Sequence, residues 1–257
     1  MNQLINQPKS CGYTVRLAKD KDEIERAQKL RYKSMILEFN PNADPNGTDA
    51  CEEDNHCDHL IAVNDDTGEI VGNYRFVTKA HGIPFFCTGE FDLTNLAKND
   101  NILEIGRAVV DPDCRNAPII KLLWHGLFNY CKQFGIRYIF GTASYHMADF
   151  DANHIQNFKY KDSFTNLYLN HQVDKSINCT AKAPAISLKD VADVVGEFDP
   201  TEAKFQTPAL IRTYLAMGGR VCDSAYIDNV CKTIDCMVIT DLCNFNEFFV
   251  KKLLGDL

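Results

Sequence analysis

The sequence predicts an α/β fold built around one strand, turn, helix, strand unit, and three observations carry that expectation. Asn101–Gly141 begins with a short run rich in Ile, Leu and Val, which reads as a buried strand. From Pro118 onward Ile119, Leu122, Leu123, Gly126, Leu127, Tyr130 and Phe134 fall at helical spacing, with Pro118 suited to a first helical position. Gly135 then closes the helix, and Ile136, Tyr138 and Phe140 alternate as the next strand.

The turn between strand and helix is Asp111-Pro112-Asp113-Cys114-Arg115. A turn rising into a helix presents unpaired N–H groups at the positive end of the dipole, which makes it a ready anion seat. Between Cys114 and Ala148 no Asp or Glu occurs, while Arg115, Lys121, Lys132 and Arg137 do. In a chain of net charge −8 this local reversal of sign points to a phosphate-bearing or acidic partner. An ordinary surface helix in a crossover unit is the plainer alternative.

The N-terminal part reads as a strand, Thr14–Leu17, and a helix capped by Asp20 or Asp22 and reaching Phe39. Steps of 100° place Ile24, Ala27, Met35 and Phe39 on one arc with Arg31 among them. A guanidinium there needs a partner or ligand, or snorkels to the rim. Residues 40–57 form a polar loop. Its Cys51, His56, Cys57 and His59 fit no common zinc spacing, so no metal is expected. Leu60–Asn64 and Glu69–Lys79 form a hairpin across Asp65-Asp66-Thr67-Gly68, with Val71, Asn73, Arg75 and Val77 sharing a face.

Residues 80–100 read as a loop, and Ser144–Ala183 as a polar, weakly patterned stretch with scattered aromatic residues, either a lid over an apolar ligand or a loosely packed insertion. Thr207–Met217 is expected as a helix, with strands at Arg220–Cys222 and Cys236–Thr240. With 45% hydrophobic residues and no linker, the 257 residues are expected to form one domain, with a core over 12–145 and 205–242 and an insertion over 146–204. Eleven cysteines without an export signal read as reduced thiols, and the chain as cytoplasmic. A pI near 5.4 argues against nucleic acid as a partner.

Several stretches resemble one family in the same order. They are Leu30-Arg31-Tyr32, Asp54-x-x-Cys57-Asp58-His59-Leu60, Gly72-x-Tyr74-Arg75, Glu90-Phe91-Asp92-Leu93 and Leu103-Glu104-x-Gly106-Arg107. Pro208-x-Leu210, Tyr214-Leu215, Gly218 and Asp228 follow. Together with Val110-Asp-Pro-Asp-Cys-Arg115, the set resembles GNAT-fold N-acyltransferases of the ornithine N-acyltransferase and long-chain N-acyl amino acid synthase type, related to acyl-homoserine lactone synthases.

The resemblance implies a GNAT-like, mostly antiparallel mixed sheet flanked by helices, with a splayed central strand pair. It implies transfer of a fatty acyl or 3-hydroxyacyl group from an acyl carrier protein thioester to the α-amine of an amino acid, ornithine first. Acyl-homoserine lactone synthesis, acetyl transfer from coenzyme A, and an inactive acyl- or carrier-binding module are the rivals. No cofactor is expected to be held permanently; acyl-phosphopantetheine or acyl-coenzyme A is the co-substrate. A greasy product implies work at the inner membrane surface, although the charge offers no polybasic anchor.

Within that reading Glu104 is the candidate base, direct or through a water, unless it only pairs with a nearby arginine. Strand alternation puts Glu104 and Arg107 on opposite faces, and a bulge at Gly106, as in GNAT relatives, would change the facing. Arg31, Arg75 and Arg107 are candidates for holding a substrate carboxylate or for bracing Asp54 and Asp58. Asp58 is a candidate for the substrate ammonium group, or a structural ion pair. Val109, Val110, Arg115, Asn116 and Ala117 would bind the acyl donor. The family's Gly-x-Gly after the Arg is replaced by Ala117-Pro118-Ile119-Ile120, which is compatible with a carrier-bound arm and its single phosphate. Lys121 and Lys132 would meet the carrier protein or form a solvated face.

Overall fold

The computed structural model describes residues 7–40, 42–146 and 150–245. In chain order the strands are β1 (Lys9–Ser10), β2 (Tyr13–Leu17), β3 (Asp58–Asn64), β4 (Ile70–Thr78), β5 (Phe91–Asp92), β6 (Ile102–Val110), β7 (Tyr138–His146), β8 (Thr180–Ala181), β9 (Ala185–Ser187), β10 (Arg220–Asp228) and β11 (Thr233–Asp241). The helices are α1 (Lys21–Tyr32), α2 (Ile119–Phe134), α3 (Lys161–Asn170), α4 (Leu188–Val195), α5 (Pro200–Gln206) and α6 (Ala209–Ala216). The described residues divide into two compact units, one of residues 7–84 with Leu103–Ile136, the other of Phe85–Ile102 with residues 137–245.

In the first unit β1, β2, β3, β4 and β6 pair antiparallel in that order. Period-two alternation sorts the sheet's faces, its phase shifted between Ile70 and Gly72 by a register break at Ala62/Val63. Ile61, Ile70 and Val109 pack with Ala27 and Leu30 of α1. On the other face Gly72 approaches Ile119 and Leu123 of α2, and Gly126 of α2 approaches Val15 and Leu60. Helices on both faces explain why β4 is buried almost throughout.

The Asp20 carboxylate caps α1 by accepting from the Glu23 N–H at 3.0 Å. The helix expected to reach Phe39 ends its α geometry at Tyr32 and continues as a π turn over Lys33–Leu37. The wider turn shifts the angular phase, so Met35 and Phe39, expected inside, are 42% and 65% exposed, while Arg31, one turn earlier, is 1% exposed. At the other end of the unit, Pro118 is the N-cap of α2 rather than its first residue, and Gly135 closes the helix at φ 63°.

In the second unit β7, β11, β10 and β9 pair antiparallel, and β5 pairs with β8. Alternate residues of β11 serve two cores. Ile234, Cys236 and Val238 pack with α3 and α4, while Met237 and Ile239 pack with Phe91, Leu93 and Leu96. Four of the six aromatic residues of 145–168, expected in a lid or a loose insertion, are interior. Tyr145, Phe158, Tyr160 and Phe164 are buried and stack on one another at 4.8–5.8 Å. The hairpin β10–β11 is longer toward its turn than the expected Arg220–Cys222 and Cys236–Thr240, because Asp228 and Thr233 still pair across it.

All eleven cysteines are free thiols, and Cys57, Cys87, Cys131, Cys179, Cys222 and Cys236 are buried. Among the described residues no helix is long and apolar enough to cross a membrane.

Candidate active site

The α1 face of the first sheet carries a polar centre. Asp54 sits in a 3-10 turn, Glu52–His56, and is wholly buried. Its carboxylate accepts from Arg31 Nη2 at 2.7 Å and Nη1 at 3.3 Å, Arg75 Nη1 at 3.2 Å, and Gln28 Nε2 at 2.9 Å. Arg31 comes from α1 and Arg75 from β4, whose Val71, Asn73, Arg75 and Val77 row faces α1. Burial pushes the Asp54 carboxyl up, but the hydrogen bonds and charge of Arg31, with Gln28 and Arg75, outweigh it and hold the group far below the usual carboxylate range. Burial and the charge of Arg107 lower Arg75, without approaching neutrality for a guanidinium.

A second carboxylate, Asp49, joins the centre to β6. Its Oδ2 accepts from Arg31 Nε and Arg107 Nε, both at 2.8 Å, and its carbonyl accepts from Arg31 Nη2. Asp49 was missed in the sequence because, of the loop acids Asp44, Asp49, Glu52, Glu53 and Asp54, the resemblance picks out Asp54 alone and no period marks Asp49.

The bulge expected at Gly106 is present. On β4 Arg75 and Asn73 are two apart, yet they pair with Gly106 and Val109, which are three apart. The extra residue is absorbed at Arg107, whose φ is 51°, and Asn73 Nδ2 fixes the Arg107 carbonyl at 3.1 Å. Glu104 pairs with Val77 and so shares the face of Arg75, buried at 6% exposure. The bulge turns Arg107 to that same side, where it meets Asp49. Arg107 keeps 40% of its side chain exposed, and its two Nη groups have no hydrogen-bond partner among the described residues.

Asp58 lies elsewhere. It pairs with Phe76, whose ring stacks on Tyr130 of α2 at 4.9 Å. The Tyr130 hydroxyl donates to Asp58 Oδ2 at 2.9 Å, and His81 Nε2 stands 3.4 Å away. Asp54 and Asp58, grouped in the sequence, thus face opposite sides of the sheet.

Cys57 and His59 lie close to Asp54. His59 Nε2 donates to the Asp54 carbonyl at 2.9 Å, and the Asp54 carboxylate is taken by the arginines. Burial pushes the Cys57 thiol up to about 12 and lowers His59, so both stay neutral. With the Asp54 carboxylate and His59 Nε2 engaged and the Cys57 thiol kept protonated, this donor set suits no metal.

The expected donor turn is tied to the π segment by two sets of ion pairs. Lys33 Nζ reaches Asp111 at 2.8 Å and Asp113 at 2.9 Å, and Arg115 grips Glu38 through both Nη atoms at 2.7 and 2.5 Å. The Ala117 N–H, expected to face a phosphate, donates to the Cys114 carbonyl at 3.0 Å. The N-terminus of α2 has no side-chain cap and no acid in its first turn, so its opening N–H groups have no side-chain acceptor within the helix. Val109 is buried against α1, and Val110 pairs with Gly72.

A family profile described as "Acetyltransferase (GNAT) domain" matches residues 30–125. A solved CoA-dependent acyl-homoserine lactone synthase, MesI, superposes with a TM-score of 0.52 at 15% identity, covering 92% of this chain and 90% of that one. The chain is similar to L-ornithine N(alpha)-acyltransferase of Rhodobacter capsulatus, at 29% identity over 95% of this chain and 97% of the relative. The chain is a GNAT-fold acyltransferase. The Brucella abortus L-ornithine N(alpha)-acyltransferase is 28% identical over 92% of this acyltransferase.

Proposed function

We propose that this acyltransferase moves a fatty acyl group from the phosphopantetheine thioester of an acyl carrier protein to the α-amine of ornithine. The observation that carries the reading is the bulge at Gly106–Arg107, which sets a buried carboxylate, Glu104, and a half-exposed guanidinium, Arg107, on one face of β6. The near full-length likeness to ornithine N(alpha)-acyltransferases supports the acceptor.

Direct aminolysis needs a deprotonated amine, a polarised carbonyl and close approach of the two. In this reading Glu104 takes a proton from the α-ammonium or through a water. The nitrogen then forms a bond to the thioester carbon, the carbon–sulfur bond breaks, and the second proton that the nitrogen sheds on becoming an amide goes to the leaving sulfur, giving the free pantetheine thiol. Arg31 and Arg75 are committed to Asp54, so Arg107, with its Nη groups available, is the arginine for the substrate carboxylate. The N–H groups opening α2 suit the pantetheine phosphate, with Arg115 joining once released from Glu38.

Incubation of the protein with acyl carrier thioester and ornithine, followed by mass spectrometry, tests the reading. The expected product is N-acylornithine with release of the carrier thiol. Product from S-adenosylmethionine but none from ornithine would replace this acceptor, and no acyl product from any amine would leave a binding module.

A further inference from the structure

Asn73 is a polar residue on a face that is otherwise apolar or ion-paired. It pairs with Val109, which packs against α1, and it is wholly buried. Val71 and Val77 in the same row are buried apolar residues, and Arg75 has its charge met by Asp54. The Asn73 Oδ1 is buried without a hydrogen-bond partner among the described residues. A buried acceptor left unpaired destabilises a fold, and a leucine of nearly the same size would carry no such penalty.

The other half of the amide has one contact, and it reaches the bulge. Asn73 Nδ2 donates to the Arg107 carbonyl at 3.1 Å. A carbonyl can only accept, so the amide nitrogen is the atom that must face it. The bond is made at the step where β6 advances three residues, Gly106 to Val109, against two on β4. A bulge leaves its inserted residue out of the ladder, and here a side chain of the neighbouring strand supplies that residue's carbonyl with a donor.

Arg107 needs such support. Among the described residues three without glycine's freedom have positive φ: Cys11, Arg107 and Lys232. Cys11 and Lys232 lie in the turns between β1 and β2 and between β10 and β11, whereas Arg107 lies within a strand. A side-chain-bearing residue keeps that conformation only where its surroundings fix it. Two contacts do so. Asn73 holds the peptide plane after Arg107, and Asp49 Oδ2 holds Nε at 2.8 Å. With backbone and Nε both tied, the two Nη groups are carried to a defined place.

We propose that Asn73 is a positioning residue for the amino acid substrate, holding the carbonyl of the bulge so that Arg107 presents its Nη groups to the substrate carboxylate. The inference rests on the reading of Arg107 given under the proposed function. It accounts for a buried amide that half wastes its hydrogen-bonding capacity on a face where an apolar residue would pack.

The test is a double-mutant cycle in steady-state kinetics with acyl carrier thioester and ornithine. Asn73→Leu keeps the side chain's size and removes the donor. It should raise KM for ornithine about 3–30-fold, a coupling usual between residues in contact, while KM for the thioester moves little. In an Arg107→Ala background the same substitution should change KM for ornithine less than about twofold, because the group it positions is gone. Asn73→Thr keeps a hydroxyl donor on a residue suited to strands, should recover part of the loss, and keeps the test open if the leucine variant does not fold. The proposal is overturned if Asn73→Leu or Asn73→Thr lowers the unfolding midpoint with KM for ornithine unchanged, or if the leucine substitution raises KM equally with and without Arg107. An ornithine KM unmoved by Arg107→Ala, or a parent protein with no turnover on ornithine, overturns the underlying reading instead, a result separable from failure at Asn73.

Discussion

Arg31 and Arg75 share one acceptor: Asp54 takes the first at 2.7 Å through Oδ2 and the second at 3.2 Å through Oδ1. A single wholly buried carboxylate thereby fastens α1 to β4, and Gln28 occupies a further lone pair. Desolvating these ions is costly, so the arrangement is held by completeness rather than by a large net gain, and its weak point is the shared anion.

Asp54→Asn leaves two buried guanidinium groups without that charge and should cost about 3–5 kcal/mol, read from the urea midpoint at constant m-value. The folded-state pKa of Asp54 is depressed, so its contribution is present above the unfolded value and lost as pH falls through the folded one. The gap between parent and variant should stay flat near neutrality and narrow below about pH 4, the ordinary aspartate range. A gap that is flat down to pH 2 would contradict the assigned network.

Arg107 differs from Arg31 and Arg75 in exposure, and its substitution should show in binding rather than in folding. Arg107→Ala removes charge-assisted hydrogen bonds worth about 1.5–3 kcal/mol, a rise of about 10–100-fold in KM for the amino acid. KM for the acyl carrier thioester should move little, and Arg107→Lys should recover part of the loss. A lowered unfolding temperature with unchanged KM would make Arg107 a structural strut for Asp49.

Much of this centre was legible in the chain because its carriers obey strict periods. Arg31 falls on the apolar arc of α1 and Arg75 on the inward row of β4, while the bulge at Gly106, which no period shows, came from the resemblance to GNAT relatives. Asp49 and Glu38 were not legible, since loop and helix-end acids are positioned by tertiary contacts that leave no period. The π turn was invisible for a related reason: Met35 and Phe39 satisfy a 3.6-residue repeat that the backbone abandons after Tyr32. The polar stretch after Tyr145 hid a core because its aromatic residues are contributed from turns and short helices, and only their mutual stacking reveals an inner face.

Glu104→Gln keeps the shape and burial of the side chain while removing its basicity. If Glu104 is the base, amide formation should fall about 10²–10⁴-fold while binding of the acyl carrier thioester is retained. The loss should be relieved at high pH, where the amine deprotonates unaided. Turnover within a few-fold of the parent at neutral pH would reduce Glu104 to an ion-pair partner.

Gly126 tests the packing that aligns the donor helix. A Cβ there would stand 2.7 Å from Val15 Cγ1 and 3.0 Å from both Leu60 Cδ atoms, closer than carbon atoms approach without displacement. Both neighbours are wholly buried, so neither can swing into solvent. Alanine favours the helix by about 1 kcal/mol over glycine, but overpacking costs about 1–3 kcal/mol, and the second effect should win. Gly126→Ala should lower the unfolding midpoint and push α2 off β2 and β3. Because α2 presents its N-terminus to the donor phosphate in the proposed reaction, the same variant should weaken acyl carrier thioester binding while leaving the amino acid KM nearly unchanged. A variant more stable than the parent would show that the helix already stands off the sheet at this point.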